Sequence, residues 1–286
     1  MAEIIALSKA VESIIRDGHQ VALEGFTHLI PHAAGQEIIR QQKRGLTLYR
    51  MTPDIIYDQM IGMGLADKLV FSWGGNPGVG SLHRFRDAVE NAWPRSLQIE
   101  ERSHADLASA YVAGAAGLPM ALLRAYRGSD IPRYNERIKF ITCPFSGEEL
   151  AATPAVRPDV AVIHAQQADK KGNVLIWGIV GVQKEAVLAA RSSIVTVEEI
   201  VEKLEPAPNA CVIPNWVVTA VCEVPGGAHP SYAQGYYERD NAFYQNWEKI
   251  SRSRESFQKW MKRHVLDTSS FAEFQRILAE ESKEVA

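Results

Sequence analysis

Carboxylates at the ends of apolar runs, and the glycine-bearing turns that follow such runs, are where this sequence offers chemistry. Glu24 closes the run Val21-Ala22-Leu23 and stands directly before Gly25; the pairs Glu100-Glu101 and Glu148-Glu149 are the other candidates. A carboxylate in such a place acts as nucleophile or base when burial raises its pKa; otherwise it caps the next helix or faces water. Three turns carry glycine after an apolar run: "LEGFTHLIP" (23–31), "SWGGNPGVGSLHRF" (72–85) and "EVPGGAHPS" (223–231). In the second, Gly74, Gly75, Gly78 and Gly80 permit close backbone approach, and Ser81 stands where it can cap the next helix. Backbone N–H groups and a hydroxyl can hold an anion there. The spacing is neither a Walker A nor a GxGxxG pattern. Arg84 and Arg86, two apart on the following helix, point to different faces, so at most one meets that anion. His28, His164 and His229 are acid–base candidates or hydrogen-bonded structural residues, and no serine elbow or cysteine–histidine signature accompanies them. The aromatic stretch "YAQGYYERDNAFYQNW" can line a pocket or pack a lid or an interface between subunits.

The elements that must position these residues alternate. Ser8 caps a helix with apolar positions Val11, Ile14 and Ile15, ended by Asp17-Gly18; residues 21–23 are a strand, and a helix follows Pro31. Strands over 46–52, 68–73 and 96–101 alternate with helices over 54–62, 82–93 and 105–117, the pattern of βαβ units and a mostly parallel sheet. Residues 136–178 are rich in β-branched residues and turn signals and predict hairpins or edge strands. A helix over 183–190 and a strand from 193 restore the rhythm, and two helices close the chain. The expected fold is α/β: a mostly parallel open sheet with helices on both faces, in one domain over 1–286 with a helical extension from about residue 240.

Composition narrows the class. With 31 basic and 34 acidic side chains among 286 residues, the formal charge is −3, and no basic block marks a nucleic-acid surface. Cys143, Cys211 and Cys222 are scattered, which argues against a disulfide framework or a zinc site and fits a reducing cytoplasm. The first eighteen residues read as an amphipathic helix, and no apolar run approaches the ~20 residues of a membrane span.

Several blocks, in order, resemble one family. "DGHQVALEGFTHLIP" resembles the signature near the start of the α subunit of family I coenzyme A transferases: D-G, an apolar triplet, then G-G-F. "SWGGNPGVGSLHRFR", "CPFSGEEL", "PDVAVIHAQQADKKGNVLIWG", "SIVTVEEIV" and "GGAHPSYAQGYYERDNAFY" resemble the α subunits of the glutaconate and the longer 3-oxoadipate type, "FSWGGNPGVGSLHRFRDAVE" more the latter. The resemblance implies a cytoplasmic two-subunit enzyme, a heterodimer or heterotetramer, with coenzyme A as substrate, no resident cofactor or metal, and no nucleic-acid or membrane partner. It moves CoA from succinyl-CoA to a short dicarboxylic acid, 3-oxoadipate or glutaconate, through a glutamyl-CoA thioester on the β subunit. The nucleophilic glutamate is therefore expected outside this chain. Its own contribution is expected from Gly25, Phe26, Thr27, Gly74, Gly75, Asn76, Gly78 and Ser81, which hold the carboxylate or the oxyanion. Two alternatives are a related ring-opening acyl-CoA hydrolase using Glu100 or Glu101, and a ligand-binding regulator of similar fold; His229 is a lesser candidate. Glu24 departs from the family pattern, taking the place of its first glycine. Strand alternation turns its side chain to the opposite face from Leu23, where it caps the helix after Pro31 or meets a cation.

Overall fold

In the computed structural model, which describes residues 2–76 and 80–285, the chain alternates through its first half as the pattern predicts. It runs β1 (Glu3–Ile4), α1 (Leu7–Ile14), β2 (Gln20–Glu24), α2 (His32–Arg40), β3 (Leu46–Arg50), α3 (Ile55–Gly62), β4 (Ala66–Phe71), α4 (His83–Asn91), β5 (Gln98–Glu101) and α5 (His104–Ala115). An excursion follows: β6 (Met120–Leu123), α6 (Ile131–Tyr134), β7 (Lys139–Thr142) and β8 (Glu149–Pro154). The chain returns through β9 (Val160–Asp169), β10 (Val174–Ile176), α7 (Gln183–Ala189), β11 (Ser192–Val201), β12 (Cys211–Ile213) and β13 (Ala220–Glu223). It closes with α8 (Asn241–Arg252), α9 (Arg254–Met261) and α10 (Phe271–Val285).

The main sheet has the order β1-β13-β11-β9-β2-β3-β4-β5, every pair parallel. Strands β10 and β12 add antiparallel pairs beside β9, and β6-β8-β7 form a separate antiparallel sheet. From β2 the chain winds outward through β3, β4 and β5; from β9 it winds the other way through β11 and β13. The neighbours β2 and β9 thus form the switch point of the sheet, where connections diverge and leave a crevice at the strands' carboxyl ends. The hairpin reading of 136–178 holds for β7–β8 and for the turn joining β9 to β10, but β9 is not an edge strand. That strand lies between β2 and β11, with residues 160–166 buried, and the apolar run at its start, 160–163, is the pattern of a parallel strand covered on both faces.

Alternation assigns each strand's side chains to one of two cores. Val21, Leu23, Val160, Val162, Leu69 and Phe71 pack under α1, α2, α3 and the C-terminal helices, while Ala22, Ile163 and Val70 pack under α5 and α7. Helix caps differ from the sequence expectation. Ser8 lies inside α1, whose cap position is Ala6, and Ser81 does not cap α4. Asp58 does so from α3, its Oδ1 accepting the N–H groups of Arg84 (2.8 Å) and Phe85 (2.9 Å), while Oδ2 accepts Trp247 Nε1–H (3.0 Å). Burial pushes this carboxyl up to about 6 against those donors. Part of the aromatic stretch is helix: Asp240 caps α8 through Phe243 N–H at 2.8 Å, and Tyr244 and Trp247 are buried in the core shared with the sheet.

We propose from this shared core that α8–α10 and the sheet unfold together. Trp247→Ala is expected to cost about 3–5 kcal/mol in a single transition seen alike by circular dichroism and tryptophan fluorescence. Two separated transitions would show the helices to be an independent unit.

Candidate active site

Three turns converge at the carboxyl ends of the central strands. The first leaves β2. A Cβ on Gly25 would lie 2.6 Å from Leu29 O and 3.0 Å from His28 O, so the chain can curl here only without a side chain. Thr27 (φ 57°) and Leu29 (φ 52°) take left-handed conformations that cost L residues about 1–2 kcal/mol each. Surrounding contacts hold this strained turn in place. His28 Nδ1–H donates to Ile179 O (3.2 Å) and its Nε2 accepts Gln234 N–H (2.9 Å), a neutral tautomer consistent with burial lowering its pKa. The Phe26 ring meets His104 edge-on at 6.3 Å.

The second turn leaves β3 and locks to the first through Arg50. This guanidinium, 1% exposed, donates from Nη1 to Leu23 O (3.3 Å), from Nη2 to Gly25 O (3.1 Å) and from Nε to Thr52 O (2.9 Å). Asp54 lies 3.7 Å from it. The third turn leaves β4: Ser72 and Trp73 N–H donate to Met51 O, and Gly75 N–H to Pro53 O (3.0 Å). Gly74 and Gly75 are both hemmed in, since a Cβ would sit 3.1 Å from the Phe85 ring and 2.7 Å from the Trp73 ring. Asn76 is bridged to Gly80 and is 2% exposed, yet neither its side-chain oxygen nor its nitrogen makes a hydrogen bond among the described residues. Ser81 is exposed. Gly78 lies outside the described residues.

Glu24 faces the core opposite Leu23, as alternation requires, but it does not cap α2, whose start has no side-chain cap. Its Oε1 accepts the Tyr111 hydroxyl (2.8 Å) and Met51 N–H (3.3 Å). Burial raises its pKa from 4.5 to about 7, outweighing the nearby Arg50 charge and those hydrogen bonds. At 1% exposure it cannot reach a thioester. The other candidates lie elsewhere. Glu100 sits on β5, three strands and thus roughly 14 Å from β2. Lys68 (2.5 Å) and Arg102 (2.8 Å) hold it, and although burial pushes its pKa up, their hydrogen bonds and charges bring it below the usual value. Such a carboxylate is a fixed charge and a poor base. Glu101 is exposed, and Glu148 pairs with Arg124 at the surface. His229 hydrogen-bonds Asp240 (3.0 Å) and lines a groove of about 860 Å³ between α8 and α10. His164 is buried between Thr196 (2.8 Å) and Glu198 (2.6 Å). Arg84 is buried against Asp87, and Arg86 pairs with Glu90, so neither serves the glycine turn.

Residue types alone do not point to Arg50 or Tyr111, which lie buried beneath these turns, nor to Arg239. Arg50 does leave a trace: in β3 it shares the buried register with Leu46 and Leu48, a place where arginine is out of character.

Because Glu24 is protonated more readily in the folded chain than in the unfolded one, its contribution is fully favourable below the unfolded pKa near 4.5 and is lost as pH rises toward 7. Relative to Glu24→Gln, the wild type is expected to lose up to roughly 3 kcal/mol across that window and no more above it. Urea denaturation in steps from pH 5 to pH 8 reads this directly, and parallel curves would contradict it.

A family model described as Coenzyme A transferase matches residues 4–224. The A subunit of the 3-oxoadipate CoA-transferase from Pseudomonas knackmussii is 65% identical over 280 residues, covering 98% of this chain and 99% of that one. The crystal structure of glutaconate coenzyme A-transferase from Acidaminococcus fermentans superposes with a TM-score of 0.91 at 32% identity, over 97% of this chain and 93% of that chain. The cholesterol ring-cleaving hydrolase IpdA subunit of Rhodococcus jostii is 30% identical over 165 residues, 54% of this chain and 55% of its own length. With the switch-point crevice and its glycine turns in place, the family match over 4–224 and the likeness to the two transferases over nearly the whole length show that the chain belongs to the coenzyme A transferase family.

Proposed function

We propose that this chain is the α subunit of a cytoplasmic two-subunit enzyme that moves CoA from succinyl-CoA to 3-oxoadipate, with the glutamyl-CoA thioester formed on its β subunit. Coenzyme A enters and leaves as a substrate, and the chain keeps no resident cofactor. The 65% identity, end to end, to the corresponding chain of a 3-oxoadipate CoA-transferase supports the choice of acid over glutaconate. The half-site reading rests on one observation: the carboxylates beneath the turn after β2, Glu24 and Asp54, are buried against the Arg50 guanidinium whose charge they compensate. A nucleophile must meet the acyl carbon, so it comes from the partner chain. The partner's carboxylate attacks the thioester carbonyl, CoA leaves as thiolate, and the thiolate adds to the resulting anhydride to release the acid and leave a glutamyl thioester. The incoming acid reverses these steps. At each step an oxyanion forms on the attacked carbonyl, and the N–H groups of Phe26, Thr27 and Gly74, with the amide of Asn76, supply donors for it or for the acid's carboxylate, while Gly25 and Gly75, whose own N–H groups are engaged by Glu24 and Pro53, let the backbone approach closely. Pinned Glu100 disfavours the hydrolytic alternative.

In the enzyme reconstituted with its β subunit, Asn76→Ala is expected to lower kcat by about 10²- to 10³-fold, the usual loss for one oxyanion donor. Ser81→Ala tests the exposed hydroxyl in the same assay, and undiminished turnover would remove Ser81 from the site. CoA transfer to 3-oxoadipate is expected to exceed transfer to glutaconate; hydrolysis without an acceptor, or no turnover with either acid, would overturn the reading.

A further inference from the structure

The ladder between β2 and β3 stops before either strand does. Its last register pair is Ala22 with Tyr49, yet β2 continues along β9 to Glu24 opposite Ile163, and β3 continues along β4 to Arg50 opposite Phe71. A gap therefore opens between neighbouring strands directly beneath the turn after β2, and the buried backbone groups on its two sides need other partners. Side chains supply them. The Tyr57 hydroxyl, from α3, accepts Leu23 N–H (3.2 Å) and donates to Tyr49 O (2.7 Å), standing in for a ladder bond. Arg50 serves Leu23 O and Gly25 O. Glu24 completes the set: its Oε1 accepts Met51 N–H (3.3 Å) from the far side of the gap, and its carboxyl also takes up the N–H of Gly25, where the turn begins. From α5 the Tyr111 hydroxyl donates to the same Oε1 at 2.8 Å, so the carboxyl is braced from below. All four side chains are buried.

The turn is thus anchored at both ends. Its far end is fastened by the strap that follows β13, where Tyr232 O accepts Leu29 N–H (3.0 Å) and the Ser231 hydroxyl oxygen accepts Ile30 N–H (3.1 Å). Its near end is held at Gly25. Phe26 and Thr27 lie between, Thr27 in a strained left-handed conformation (φ 57°), so the two anchors set where their N–H groups point. Arg50 holds the carbonyls of the gap; Glu24 holds an N–H of the turn and one of the opposite strand's exit at once.

We propose that Glu24 is a positioning residue for the transfer reaction: its carboxyl, braced by Tyr111, keeps β2 and β3 apart and so aims the N–H groups of Phe26 and Thr27 at the oxyanion. It acts through the turn and touches no substrate. This rests on the transferase reading above. A donor aimed at an oxyanion is sensitive to displacement, since about 1 Å of misplacement can cost about 10²-fold in rate. The grip on CoA and on the rest of the acid does not pass through this gap, so the loss belongs in kcat and not in KM.

The test uses the reconstituted two-chain enzyme with succinyl-CoA and 3-oxoadipate. Rates are expressed per site able to take up CoA covalently from succinyl-CoA without acceptor, so that unassembled protein does not count. Glu24→Met, similar in length but without an acceptor, is expected to lower kcat by roughly 10- to 100-fold with KM for both substrates within about threefold. Glu24→Gln, which keeps an acceptor oxygen in place, is expected to recover most of that loss. Tyr111→Phe is expected to lower kcat by roughly 3- to 10-fold, and to add little when Glu24→Met is already present. Wild-type kcat in the Met variant overturns the assignment, as does a rise in KM with kcat unmoved, or a Gln variant no better than Met. Should the Met variant fail to assemble, Tyr111→Phe decides, and wild-type kcat there overturns it. If the wild-type enzyme transfers CoA to no dicarboxylic acid, the transferase reading fails instead, whatever the variants do.

Discussion

A single buried guanidinium joins the two strand ends on which the rest of the crevice is built. Arg50 rises from β3 and donates to carbonyls at the end of β2 and in the turn after β3, so the curl around Gly25 is fixed to its neighbour by charge-assisted hydrogen bonds. A cation in that position needs compensation, which comes from Asp54 at 3.7 Å and, across the strand, from Glu24. Glu24 in turn is held by Tyr111 and Met51, which ties α5 to the same point. The strain at Thr27 and Leu29 persists because this floor and the roof from the 226–240 segment leave the turn no relaxed alternative.

This arrangement divides the chemistry between chains. The carboxylates that the fold gathers here compensate Arg50, whereas the turns at the strand ends bring together donors: the backbone of the glycine turns and the Asn76 amide, which has no partner among the described residues. Donors of this kind suit binding acids and stabilising oxyanions, and on the proposed reading covalent attack is left to the partner chain. Binding energy gathered on the remote parts of the acid and of CoA can then be used at the reacting carbon.

Much of this is legible in the sequence, and the exceptions have physical causes. The alternation of helices and strands from α1 to α5 follows from hydrophobic period alone, and so does the direction of the Glu24 side chain. Ser81 misleads because local order suggests the nearest hydroxyl as a cap, whereas the fold brings Asp58 from the preceding helix. β9 looks like an edge because its flanking turns are dense, yet its ten-residue length and the apolar run over 160–163 are those of a central parallel strand. Arg239 carries no local signal: its place depends on the strap from β13 crossing back over β2, a contact between residues some two hundred positions apart.

The central claim is that this chain builds the site but does not carry the covalent intermediate. Mass spectrometry of both chains, after the two-chain enzyme is incubated with succinyl-CoA in the absence of acceptor, tests it most directly. The account predicts a CoA-sized adduct on a glutamate of the partner chain and none on this one; an adduct on Glu24, Glu100 or Glu101 would contradict it.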